Sequence, residues 1–222
     1  VVRVRRSSDN AEKDFTAVDI NDGSLEAWVG VGNDGFVPVW YDVFGSRNAT
    51  QSVASLQYRL VNNGALETIN GKPTLKPASN GSNYEIPALF DSDISDGFMV
   101  LQHDDNDMLF FGLSYSLGGV FLYIASSSST SNESEINRAV GNPDYYVNNL
   151  RQTWAGRAEV YQSLTPDQKL LSFSGVSLAS GDVINRIGPD DGRPEVPETL
   201  QEIIIYPSDQ STSRAAIESN IN

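Results

Sequence analysis

Gln201-Glu202-Ile203-Ile204-Ile205-Tyr206 is the run on which the fold reading turns. Three consecutive β-branched side chains suit a pleated strand. Successive strand residues point to opposite faces, so Ile203, Ile204 and Ile205 make a strand apolar on both sides, as expected of one packed between two layers. The run at Phe121, Tyr123 and Ala125, alternating with Leu122 and Ile124, has the same two-faced pattern. Working outward, further strand-like runs occur at Val1 to Arg6, Ala27 to Val31, Phe36 to Tyr41, Met99 to Gln102, Met108 to Tyr115, Gly119 to Ala125, Ala158 to Gln162 and Lys169 to Phe173. Gly, Asn, Asp and Ser separate them, a spacing that favours a sandwich or jelly roll over a parallel α/β fold. The expected class is all-β: an antiparallel two-sheet jelly-roll sandwich.

Between the runs lie two expected loops. Residues 125–132 are nearly all Ser and Thr, too polar for a core. Residues 186–197 hold three prolines, two glycines and the pair Asp190-Asp191, which cannot continue a strand interior. After Pro207, Ser208 is placed to cap a short C-terminal helix, with Ala216, Ile217 and Ile221 on one side and Arg214 and Glu218 paired at i, i+4. No repeat of fixed period occurs, which argues against a propeller or solenoid. The 222 residues are read as a single domain, 1–222, and as a fragment of a longer chain.

With 15 Lys and Arg against 29 Asp and Glu, the net charge of -14 repels a phosphate backbone, so nucleic acid is not an expected partner. Arg3, Arg5 and Arg6 alternate with Val2 and Val4 and read as the wet face of a strand. There is no cysteine, which removes disulfides, thiolate metal sites and cysteine nucleophiles. No apolar run approaches the ~20 residues of a membrane span, so no membrane partner is expected.

Catalytic chemistry finds little to work with. His103 is the only histidine, and zinc sites need more imidazole or thiolate. Asp104, Asp105 and Asp107 beside it read as a polar hairpin turn. Asp91, Asp93 and Asp96 are the best-spaced candidates for calcium, although Gly97 and Gln102 do not fit an EF-hand loop. The alternative there is a solvated turn. Trp40, Tyr41, Asp42 and Asn48 combine aromatic faces with polar groups that could hold sugar hydroxyls, set against the ordinary expectation of a buried Trp. Tyr145, Tyr146 and Trp154 are candidate exposed aromatics. Asn48, Asn80 and Asn132 head Asn-x-Ser/Thr triplets, which are common by chance in a Ser-rich chain.

The pieces Arg3-Val4-Arg5-Arg6-Ser7-Ser8-Asp9, Trp40-Tyr41-Asp42 with Gly45 and Asn48-Ala49-Thr50-Gln51, Leu66-Glu67-Thr68-Ile69-Asn70-Gly71-Lys72-Pro73, and Gln201 to Gln210 occur in that order. Together they resemble concanavalin A-like (laminin-G-like) domains related to the arabinofuranosidase catalytic domain, as carried by bacteriophage tail or head fibres and capsid decorations. The resemblance implies a concanavalin-like jelly roll on the virion surface, outside the cell. Its partners would be glycans or host-surface polysaccharide, other virion proteins and further copies of itself. Members carry Asp-Gln-Ser-Gly-Asn-Gly where this chain has Asp42-Val43-Phe44-Gly45-Ser46-Arg47. Where the enzymes place a glutamate nucleophile, Leu109 to Tyr115 offers no carboxylate, while Asp190 or Asp191 falls at the position of the acid. The implied function is therefore non-catalytic glycan recognition or display. A purely structural virion role and an arabinofuranosidase-type hydrolase are the alternatives.

Overall fold

The structure, a computed structural model, describes residues 1–79, 81–102, 108–109, 111–113, 123–124, 141–178, 180–188 and 199–221. Its first strands are β1 (Val2–Arg6), β2 (Glu12–Phe15), β3 (Gly35–Trp40), β4 (Ala49–Thr50) and β5 (Tyr58–Asn62). Four two-residue strands follow, β6 (Ala65–Leu66), β7 (Thr68–Ile69), β8 (Lys72–Pro73) and β9 (Lys76–Pro77), then β10 (Tyr84–Leu89) and β11 (Asp96–Gln102). The rest are β12 (Met108–Leu109), β13 (Phe111–Leu113), β14 (Tyr123–Ile124), β15 (Asp144–Val147), β16 (Leu150–Gln152), β17 (Lys169–Ser174), β18 (Ile184–Ile187) and β19 (Thr199–Tyr206). The helices are α1 (Ala17–Asn21), α2 (Ser24–Val29), α3 (Arg157–Leu164) and α4 (Arg214–Ile221). No helix among the described residues is long and apolar enough to cross a membrane.

Every pairing between these strands is antiparallel. Among the described residues the larger sheet has ten strands, with the path β13-β18-β10-β4-β3-β1-β2, with β5 branching from β3, and with β6 and β9 paired to β5. The second has five, in the order β16-β15-β17-β11-β19. The class is all-β, with few and short helices. Asn70 and Gly71, at φ 52° and 76°, join β7 to β8 in the two-residue turn that positive φ at both centres permits.

The two sheets share one core. Val2, Val4, Val37, Tyr58 and Tyr84 come to it from the larger sheet, and Met99, Leu101, Leu171 and Phe173 from the smaller. Tyr58 and Tyr84 stack with centroids 5.2 Å apart, and the Tyr84 hydroxyl donates to Val37 O at 3.0 Å, so the buried ring keeps its hydrogen bond. Burial pushes both phenols up.

The smaller sheet is apolar on both faces, as the isoleucine run predicts. Ile203 and Ile205 pack on the shared core, whereas Ile204 and Tyr206 turn the other way and join Phe98, Val100 and Leu170 beneath Ile217 and Ile221 of α4. Strand β19 thus lies between layers although it ends its sheet. Helix α4 is fastened by charge as well as by apolar contact. Glu218, fully buried, accepts from the Ser172 hydroxyl and from Arg214 Nη1 at 2.9 and 3.0 Å, and the Arg214 guanidinium lies 3.7 Å from the Tyr146 ring centre.

Four expectations are corrected. Ala27 to Val31 is not a strand: α2 spans Ser24–Val29, with Leu25 and Val29 buried one turn apart. The preceding α1 opens on a capping box, Thr16 accepting from Asp19 N and Asp19 accepting from Thr16 N at 2.8 Å. Ala158 to Gln162 is likewise helical, because Val160, Tyr161 and Leu164 form one buried face of α3. Arg6 does not share the wet face of Arg3 and Arg5. It has the parity of Val2 and Val4, stacks 4.7 Å over Trp28 and donates to Trp28 O. The C-terminal helix begins at Arg214, since Ser208 to Ser211 form a turn around Asp209, and Ala216 is exposed while Glu218 takes the inward place. The Ser/Thr stretch 125–132, His103 to Asp107 and Asp190-Asp191 lie outside the described residues.

Candidate functional site

Trp40 ends β3 and packs half-buried on the core, its ring centre 6.3 Å from that of Tyr84. Tyr41 donates its hydroxyl to Asp14 Oδ1 at 2.8 Å, and Arg3 grips the same carboxylate through Nε at 2.8 Å and Nη2 at 3.0 Å. Burial and the Asp14 carboxylate push the Tyr41 phenol up. Arg3, helped by Tyr41, pulls Asp14 down to about 2. Because the folded value lies below the ordinary ~3.9, this contribution to stability is complete above about pH 4 and is lost as pH falls through about 2. Asp14→Asn should flatten the acid limb of thermal stability in that window, by no more than ~1 kcal/mol at so exposed a pair. An unchanged limb would show the triad to be energetically silent.

Asp42 and Asn48 are brought together, but they organise their own loop. Asp42 N donates to Asn48 Oδ1 at 3.0 Å, while the Asp42 carboxylate accepts from Phe44 N at 2.9 Å and Arg47 N at 3.2 Å. Arg47 then reaches Ala88 O at 2.6 Å and Asp93 at 2.8 Å. This bracing presents Val43 and Phe44 to solvent, Phe44 at 96% exposure.

The three aspartates considered for calcium have separate protein partners. Asp91 accepts from Leu178 N at 2.7 Å, and Asp93 accepts from Phe90 N at 3.0 Å beside its Arg47 pair. Asp96 is buried and accepts from Ser95 Oγ, Gly175 N and Gln210 N. Among the described residues no group of three or more His, Cys, Asp or Glu is placed to hold a metal ion. The aromatic trio is also divided. Tyr145 is buried against Trp154, ring centres 5.2 Å apart, while Tyr146 points to the opposite face of β15 beneath Arg214.

Among the described residues, an open concavity lies elsewhere, along β19. A groove of about 570 Å³ runs between Ile204 and Tyr206, helix α4 and the Phe44 loop, with Glu202, Ser213 and Asn220 among its polar wall residues. A second cavity of about 290 Å³ is lined by Val1, Lys72 and Pro73 among others, and the two share Glu202 and Ile221 as lining residues. Neither protein-family models, curated proteins nor solved structures yield a match to this chain.

The groove collects residues that sequence reasoning had assigned otherwise. Phe44 sits where the resembled motif is altered, so its exposure could be suspected from the Val-Phe pair inside a polar turn. Glu202 and Tyr206 were legible only as strand residues. Their place in a groove depends on how α4 lies across the sheet, which no local pattern encodes.

Proposed function

We propose that this chain is a non-catalytic glycan-recognition and display module, folded as a concanavalin-like jelly roll, carried on a bacteriophage virion through other virion proteins or its own copies. Two antiparallel sheets around one core, with a helix laid across the outer face, are compatible with that architecture. The observation that carries the functional reading is the groove itself. Phe44 and Tyr206 offer faces on which sugar rings can stack, and Ser213, Asn220 and Glu202 offer hydrogen bonds to hydroxyl groups.

A glycan array probed with the purified module tests this, with Phe44→Ala as the key variant. Phe44 is almost wholly exposed, so its removal leaves the core untouched. Binding to the selected glycan should weaken about tenfold, the equivalent of one aromatic contact. Full affinity in Phe44→Ala would remove the groove from recognition. Absence of binding across the array would shift the function to a structural part in the particle.

A further inference from the structure

Strand β19 ends the smaller sheet, and only its first part has a neighbour on the outer side. Leu200 pairs with Leu101 of β11 on one side and with Leu75 on the other, exchanging backbone hydrogen bonds with Leu75 at 2.8 and 2.9 Å. Beyond that bridge, among the described residues, the main chain of Glu202–Tyr206 pairs only with β11 and the adjoining Ser95, so its other edge is open. An open edge is a template for a further strand, which proteins block with charge or with brevity. The far ends of the two sheets are guarded in this way. Strand β2 carries Glu12, Lys13 and Asp14, all exposed, and the three-residue β16 carries Arg151. Along β19 the open stretch is instead apolar: Ile203, Ile204, Ile205 and Tyr206 are each half-buried, and Glu202 is its one charge.

We infer that β19 is the contact between two copies of this chain, joined antiparallel about a two-fold axis at Ile204, the centre of the open stretch. The two five-stranded sheets then run on as one. Opposed residues in such a ladder share a face. Ile203 meets the partner's Ile205 on the side of the shared core, while Ile204 meets its own counterpart on the outer side and Glu202 meets the partner's Tyr206. The occupant is a second copy because this register is self-complementary. Branched side chains oppose branched side chains, and each carboxylate opposes a phenol ring, not another carboxylate. Two chains at -14 repel through charged edges, and this edge brings no like charges face to face. The pairing goes beyond the glycan reading and holds whether or not the groove takes a sugar.

Sedimentation equilibrium of the whole chain from about 1 to 200 µM should show the mass rise from 24.2 kDa toward twice that value. The rise should strengthen between about 0.05 and 0.5 M salt, as screening relieves the repulsion of two acidic chains. In the concentrated wild type, amide exchange across Glu202–Tyr206 should slow at least about threefold, with β2 and β16 unchanged. A cross-link fixes the register. The chain has no cysteine, so Ile203→Cys and Ile205→Cys each carry a single thiol. Mixed under mild oxidation, the two variants should join at least about fivefold faster than either joins to itself, since opposed Cα atoms ~4.5 to 5.5 Å apart suit a disulfide. A monomer at every concentration and salt would overturn the inference. So would a dimer whose protection falls on other strands, or variants that link to themselves as readily as to each other.

Discussion

Gly97→Ala is expected to lower the stability of the protein by about 2 to 3 kcal/mol, large for the addition of one methyl group. Gly97 lies in β11, flanked by β17 and β19, and pairs directly with Phe173. A Cβ at Gly97 would sit 2.2 Å from Phe173 Cζ and within 2.9 Å of both Cε atoms. The ring cannot swing aside into solvent, because Phe173 is 1% exposed and belongs to the shared core. The glycine is therefore there for space, its absent side chain being replaced by the neighbouring ring. Urea unfolding measures the loss. In Gly97→Ala/Phe173→Leu, the two single costs should fall short of adding by at least ~1 kcal/mol, since the smaller side chain makes room. A cost below ~0.5 kcal/mol for Gly97→Ala would mean that the ring does not cover the glycine.

The second large effect concerns α4. Glu218→Ala should cost about 3 kcal/mol, because removing one partner of a buried ion pair strands the other and leaves the Ser172 hydroxyl without its acceptor. Arg214 keeps some exposure and its place over Tyr146, which sets the effect at the lower end of the range for such pairs. The loss should be local. Amide exchange across Arg214–Ile221 should speed up far more than at Met99 or Leu171, whose side chains face the shared core. Ser213, Ile217 and Asn220 form one wall of the groove, so under the proposed glycan-recognition function the same variant should also weaken binding there. Unchanged protection of the helix would show that the apolar contacts of Ile217 and Ile221 suffice to hold it.

Much of the strand content was legible because strand alternation is a strictly local signal. The isoleucine run divides between two layers as its period requires, and Asn70-Gly71 turns where its residues allow. The two misread helices failed for a nameable reason. Ala-Trp-Val and Ala-Glu-Val-Tyr look strand-like over a few residues, while the helical spacing of Leu25 to Val29 and of Val160 to Leu164 appears only over a longer window. The Thr16 to Asp19 box was a readable sign that helix begins nearby.

The candidate site was less legible because polar residues in loops serve two purposes. Asp42, Asn48, Asp91 and Asp93 have the types that bind sugars or calcium, and the same types staple turns, which is what they do here. Pairing of Arg214 with Glu218 followed from their i, i+4 spacing, but the burial of Glu218 depended on Ser172, 46 residues away in sequence. Long-range packing made the groove, and only the packed chain displays it.

The most direct test of the glycan-site reading is a chemical-shift map of the isotope-labelled module titrated with an oligosaccharide selected on the array. Shifts should concentrate on Phe44, Glu202 to Tyr206 and Ser213 to Ile221, and should leave Tyr145, Trp154 and the Arg3, Asp14 and Tyr41 triad unmoved. Shifts centred on Trp40 and Tyr145 instead, with the β19 and α4 residues silent, would contradict the account.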